Sequence, residues 1–145
     1  MHLENKINHT GIYGLILNHN NEVLLIKKAR GPYKNLLDLP GGTPNFNETL
    51  EMTLKREVFE ETGLSISKSK QLITLLTIFE HNSSLYRHLG IIYLLNITGD
   101  LKLDADGEDS DGCIWINIEL ITTKNCSPFV YQLKDKGHMQ IVKDL

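Results

Sequence analysis

The stretch Gly42-Thr43-Pro44-Asn45-Phe46-Asn47-Glu48-Thr49-Leu50-Glu51-Met52-Thr53-Leu54-Lys55-Arg56-Glu57-Val58-Phe59-Glu60-Glu61-Thr62-Gly63-Leu64 decides how this chain is read. A Pro40-Gly41-Gly42 turn leads into it. From Asn47 or Glu48 to Thr62 there is neither Gly nor Pro, which predicts a helix with Asn47 as its N-cap and Pro44 in the turn before it. Gly63 ends that helix, because the residue just past a helix C-terminus commonly takes a left-handed conformation. On a helix advancing about 100° per residue, Glu57, Glu60 and Glu61 fall on one arc.

Three carboxylates within one turn repel one another. They also sit where the helix dipole already disfavours negative charge, by about 0.3–1 kcal/mol per group. The arrangement makes sense if a cation comes from solution, and oxygen ligands gathered on one face suit Mg²⁺ or Mn²⁺. The structural alternative is a solvated acidic helix face. Two neighbours favour the cation. Arg56 can hold a carboxylate in place through a bidentate contact, and the Gly41-Gly42 backbone can approach a phosphate closely.

The spacing Gly42-x5-Glu48-x7-Arg56-Glu57-Val58-x-Glu60-Glu61-x-Gly63-Leu64 resembles the complete box of the Nudix hydrolases, with every defined position present. Leu39-Pro40-Gly41-Gly42 is similar to the usual lead-in. The resemblance implies an α/β fold, an α/β/α sandwich with a mixed β-sheet between helices. It also implies Mg²⁺- or Mn²⁺-dependent hydrolysis of a nucleoside diphosphate linked to another moiety, by water attacking phosphorus. Glu57, Glu60 and Glu61 would hold the metal, with Glu57 as a further ligand or the base and Arg56 orienting the carboxylates. Gly42 belongs to the metal site, and Arg30, Gly41, Gly42 and Glu48 form the substrate-binding set. Family members often carry an acidic residue shortly before a strand like Cys113-Ile114-Trp115-Ile116. Asp109 or Asp111 would fill that place here, with Glu108 as the third option. Leu37 stands where many members have Trp. No Pro occurs between Pro44 and Pro128, which counts against ADP-ribose and leaves nucleoside triphosphates and nucleotide sugars as candidates. The alternative function is a non-catalytic nucleotide sensor on the same fold, but such a module is expected to have lost box carboxylates.

The chain has 145 residues, 41% hydrophobic and 23% charged, which fits one globular domain spanning 1–145. A net charge of −3 argues against a long nucleic acid as partner, though not against a small nucleotide whose charge a metal offsets. Cys113 and Cys126 lack metal-site spacing and read as free thiols in a reducing cytosol. The N-terminal residues do not resemble a signal peptide, and no apolar run is long enough for a membrane span. The expected location is therefore cytoplasmic. A homodimer stays open.

Before the box, Gly11–Leu17 and Glu22–Lys28 read as a hairpin about the Asn18-His19-Asn20-Asn21 turn. Lys27, Lys28, Arg30 and Lys34 form a basic run, either a solvated strand end or a set of phosphate ligands, with Arg30 favoured among them. Leu36–Leu39 is a short strand. Within the helix, Leu50, Leu54 and Val58 form one packing stripe, with Met52 and Phe59 covered from the other side. Gln71–Glu80 and Tyr86–Ile97 form a second antiparallel pair about His81-Asn82-Ser83-Ser84. Tyr86, Arg87 and His88 read as a polar strand end facing water, with nucleotide contact as the alternative. Asp104-Ala105-Asp106-Gly107-Glu108-Asp109-Ser110-Asp111 is an acidic loop that fails the EF-hand pattern. Trp115 reads as a core anchor, and Ser127-Pro128 as the start of a last helix that breaks near Gly137.

Overall fold

A computed structural model describes residues 5–102 and 110–140, with Ser110 and Asp111 described in backbone only. Among them are seven strands and two α-helices: β1 (Asn5–Leu15), β2 (Glu22–Lys28), β3 (Leu37–Asp38), β4 (Gly41–Gly42), α1 (Leu50–Thr62), β5 (Ser65–His81), β6 (Ser84–Thr98), β7 (Ser110–Asn117) and α2 (Pro128–Asp135). One sheet is mixed, in the order β4-β1-β6-β5, with β1 parallel to β6 and the other pairs antiparallel. A second sheet, β3-β2-β7, is wholly antiparallel.

The expected β1–β2 hairpin is therefore only a corner. The strands meet at a Leu17–Val23 bridge and an Ile16 carbonyl accepting from the Leu24 amide, then part into different sheets. Their sequences explain why. Both are apolar at consecutive positions, the mark of a strand covered on two faces. Tyr13, Leu15, Val23 and Leu25 point into one core, and Ile12, Ile16, Leu24 and Ile26 into another. The first core takes Phe129, Val130 and Leu133 from α2, while the second takes Leu54 and Val58 from α1. The helices thus cover opposite faces of the strands, giving the helix–strand–helix layering of an α/β fold.

Helix α1 starts later than expected. Thr49, not Asn47, is its N-cap, its hydroxyl accepting from the Met52 amide at 3.2 Å. Glu48 is kept out of the helix by its own side chain, which accepts from the Asn45 amide at 2.8 Å. Gly63 closes the helix with φ 79°, its amide donating to the Phe59 carbonyl at 2.8 Å. Leu54 and Val58 are buried, but Met52 and Phe59 are 51% and 58% exposed. Among the described residues one side of α1 is covered, so the expectation that all five apolar residues were core fails for Met52 and Phe59.

The β5–β6 hairpin is longer than the pattern suggested, its turn made by Asn82 (φ 49°) and Ser83 (φ 62°). Trp115 is partly buried against the core beneath α1. Ser127 and Pro128 open α2 as expected, though the Ser127 hydroxyl bonds elsewhere. Cys113 and Cys126 are free and buried. No helix among the described residues is long and apolar enough to cross a membrane.

Candidate functional site

The turn ahead of α1 and the helix's last turns meet at the edge of the four-stranded sheet. Strand β4 pairs Gly41 with Tyr13 and Gly42 with Ile12. Gly41 has φ 145°, and a Cβ there would run into the Ile12 carbonyl. A Cβ on Gly42 would lie 2.8 Å from the Glu57 carboxylate carbon. The two glycines are thus what lets backbone and carboxylate come together.

Arg56 organises the carboxylates around it. Its Nε and Nη2 donate to both oxygens of Glu48 at 2.8 and 2.9 Å, and Nη1 donates to Glu57 at 2.8 Å. Glu60 lies 3.6 Å from the same Nη1. The bidentate contact expected of Arg56 is present, and its partner is Glu48. These bonds from Arg56, joined by the Asn45 amide, hold the Glu48 carboxyl down at about 2.

The box carboxylates occupy three environments. The Glu57 side chain is 16% exposed, that of Glu60 is 53% exposed, and Glu61 is 3% exposed. Glu61 accepts from the Gly41 amide at 2.8 Å. Burial pushes its pKa well above the usual carboxylate range, and nearby Glu57 and Asp38 push it further, against the lowering effect of the Gly41 amide and Lys28. Among the described residues, no three His, Cys, Asp or Glu side chains form a ready-made metal cage. The helix places the carboxylates on one arc without converging them on one point.

A cleft of 390 Å³ opens beside this arrangement, within the usual size range of small-molecule sites. Arg30, Gly41, Gly42, Arg56 and Glu57 line it, so five of the sequence-selected residues come together. Glu48, Glu60 and Glu61 are not among its lining residues. Glu108 and Asp109 lie outside the described residues, and so does the side chain of Asp111.

The lining also holds Lys28, Tyr86 and His88, which the sequence offers as alternative ligands, and Tyr33, Asp38 and Phe79, for which it gives no signal. Lys28 joins Arg30 at the basic end, and Asp38 lies fully buried at the floor, accepting from the Leu39 amide at 2.8 Å and the Ser127 hydroxyl at 2.6 Å. His88, taken for a water-facing residue, is buried between two tyrosines: Nε2 is 2.8 Å from Tyr13 Oη, and Nδ1 is 2.8 Å from Tyr33 Oη. Burial, then the charges of His9 and Lys28, lower its pKa to about 3. A neutral imidazole has one donor and one acceptor, so one tyrosine donates to His88 and the other accepts from it. Tyr86 also faces the cleft, whereas Arg87 is exposed and donates to Asn8. Alternation along β6 accounts for the difference, since Tyr86 and His88 share a face and Arg87 takes the other.

Comparison with known proteins agrees with this geometry. The sequence profile of the NUDIX domain matches residues 7–135. A protein of Methanocaldococcus jannaschii described as an ADP-ribose pyrophosphatase is 33% identical over 97 residues, covering 66% of this chain and 56% of the relative. The 8-oxo-dGTP diphosphatase of Escherichia coli is 38% identical over 53 residues, covering 36% of this chain and 41% of the relative. The chain thus spans about half the length of these curated relatives. A MutT NUDIX hydrolase from Burkholderia pseudomallei superposes with a TM-score of 0.75 at 20% identity, covering 90% of this chain and 98% of that one. At that identity the likeness shows the fold alone.

Proposed function

Because the chain belongs to the Nudix family, as the match over residues 7–135 shows, we propose that it hydrolyses a phosphoanhydride bond in a nucleoside diphosphate linked to another moiety. The observation that carries this reading is the Glu57 carboxylate packed on Gly42, tied to Arg56, at the wall of a nucleotide-sized cleft.

The donor set suits a hard divalent ion. All three box carboxylates offer oxygen, and buried Glu61 has an elevated pKa that a nearby cation would bring down. Glu57, Glu60 and Glu61 are the residues that would hold Mg²⁺ or Mn²⁺, with Gly42 beside them and Asp109 or Asp111 as the further acidic candidates. Such an ion, when bound, supplies positive charge to phosphate oxygens and makes a water more acidic.

The chain's own groups then have separate tasks. Arg56 fixes Glu48 and Glu57 so that neither swings away. Lys28 and Arg30 bring positive charge to the cleft end where phosphates would lie. The Gly41-Gly42 backbone lets a phosphate approach the helix. The motif itself supplies no Ser or Cys nucleophile, and in this reading water attacks phosphorus directly. Its oxygen bonds to phosphorus as the anhydride P–O bond breaks, the leaving phosphate takes the electron pair, and the proton goes to a carboxylate base, the role Glu57 fills where it is not a metal ligand.

The relatives' names cover both an ADP-ribose and an oxidised nucleoside triphosphate activity, and the missing proline downstream of the box favours the triphosphate or a nucleotide sugar. A panel of nucleoside triphosphates, nucleotide sugars and ADP-ribose, incubated with Mg²⁺ or Mn²⁺ and resolved by mass, tests this. Native protein is expected to release phosphate or nucleotide, and folded Glu60→Gln to lose most turnover. Equal activity in the two proteins would defeat the assignment. Tight nucleotide binding without any turnover would favour a sensor.

A further inference from the structure

The sheet face buried by α2 does not end where the helix does. In the β1–β6–β5 register, Gly11, Gly90 and Leu75 form one row, His9, His88 and Thr77 the next, and Ile7, Tyr86 and Phe79 the one after. Pleating puts these rows on one face. Phe129 of α2 lies over Gly90 and reaches His88 at a ring distance of 4.5 Å, where the cover stops. The outer row is left half-buried and lines the cleft.

What remains there is a cluster of aromatic rings. Phe79 and Tyr86 stack at 5.2 Å with only 4° between their planes. Tyr33 stands 5.4 Å from Phe79, carried on the turn between β2 and β3, where the Leu36 amide donates to its carbonyl at 2.9 Å. Behind these rings His88 is uncharged at neutral pH, and both its nitrogens are taken by tyrosine hydroxyls. The wall itself presents rings, while Lys28, Gly41, Gly42 and Arg56, the groups suited to phosphate, line the same cleft. A planar apolar group is the natural occupant, because ring-on-ring stacking replaces water on both partners.

We propose that the wall formed by Tyr33, Phe79 and Tyr86 seats the substrate's nucleobase, and that it ranks bases by stacking area, purine over pyrimidine. The ranking follows from the rings themselves, since a purine offers them more area than a pyrimidine, and the engaged His88 nitrogens take no part in it. The proposal rests on the reading of the box end as the phosphate site, but its test needs no hydrolysis.

Binding of AMP, GMP, CMP and ribose 5-phosphate to the full chain is measured by calorimetry without divalent metal. AMP and GMP are each expected to bind severalfold tighter than CMP, with ribose 5-phosphate weakest. Phe79→Leu and Tyr86→Leu are each expected to weaken AMP by roughly tenfold and leave ribose 5-phosphate unchanged. Tyr33→Leu, on a turn outside the sheet, gives the same readout if the strand variants unfold. Equal affinities for AMP and ribose 5-phosphate, no AMP binding at all, or folded variants that bind AMP like wild type would each overturn the base seat. Ring-dependent AMP binding in a protein that turns over nothing would uphold the seat and remove only the hydrolytic reading. Active protein with no ring dependence would remove only the seat.

Discussion

Arg56 shows how one side chain can set the geometry of several others. Its guanidinium meets Glu48 with two nitrogens and Glu57 with the third. Lysine keeps the charge but not the fork. Arg56→Lys is therefore expected to lower turnover by about 10–100-fold, the usual effect of removing a group that orients metal ligands. Metal titration of activity checks this, and an unchanged metal requirement with unchanged turnover would show that the fork is dispensable. The same contact has a pH signature. Glu48 is depressed in the folded state to about 2, so its contribution to stability is present above its ordinary pKa and is lost as pH falls through the folded value. In Arg56→Lys the folded value lies closer to the ordinary one, so that contribution should be smaller and its loss complete at higher pH, visible in melting temperatures taken between neutrality and strong acid. The sequence announced a fork but not its partner. Glu48 and Arg56 are eight positions apart, beyond the reach of helical neighbours, and they meet because the chain turns at Thr49.

At the scale of the element, α1 separates what periodicity can tell from what it cannot. Leu50, Leu54 and Val58 recur with helical spacing, and the latter two are buried. Met52 and Phe59 look as apolar in the sequence, yet no layer among the described residues covers that side. Leu54→Ala should therefore cost about 2–5 kcal/mol, as cavity-forming changes do. Phe59→Ala should stay within about 0.5 kcal/mol, as surface changes do. Urea unfolding of the pair decides it, and similar losses would mean that Phe59 is covered in solution. Thr49→Ala should cost about 1 kcal/mol for the lost cap. The same blindness applied to β1 and β2. Their unbroken apolar runs reported burial on both faces, but nothing local said that the strands would part into two sheets, because pairing is fixed by β6 and β7, each more than sixty positions away.

For the molecule as a whole, the contacts hardest to foresee are those that join distant segments, and the Asp38–Ser127 bond, spanning 89 positions, is one of them. The box and the order of elements were legible because they are local in sequence. The aromatic wall was not, since Tyr33, Phe79, Tyr86 and His88 come together only through sheet register and a turn. Asp38 belongs to the same class: it sits on β3 at the cleft floor, and its partner caps α2. Burial raises the Asp38 pKa, and the Ser127 hydroxyl is the largest of the influences that lower it. A carboxylate raised in the fold favours its protonated form there, so the protein loses stability as pH climbs from the ordinary carboxylate value through the folded one. Ser127 offsets part of that loss by donating to the charged form. Ser127→Ala removes the donor and leaves a buried carboxylate under-bonded, at an expected cost of about 1–3 kcal/mol near neutral pH. The deficit should shrink as pH falls through the folded pKa of Asp38, because the protonated form depends less on the missing hydroxyl. Asp38→Asn should flatten the pH dependence and make the Ser127 substitution nearly additive. Unfolding curves for the two single variants and the double variant across that pH range supply the check, and a Ser127→Ala deficit that stays constant with pH would mean that the hydroxyl does not act on the charge beneath the cleft.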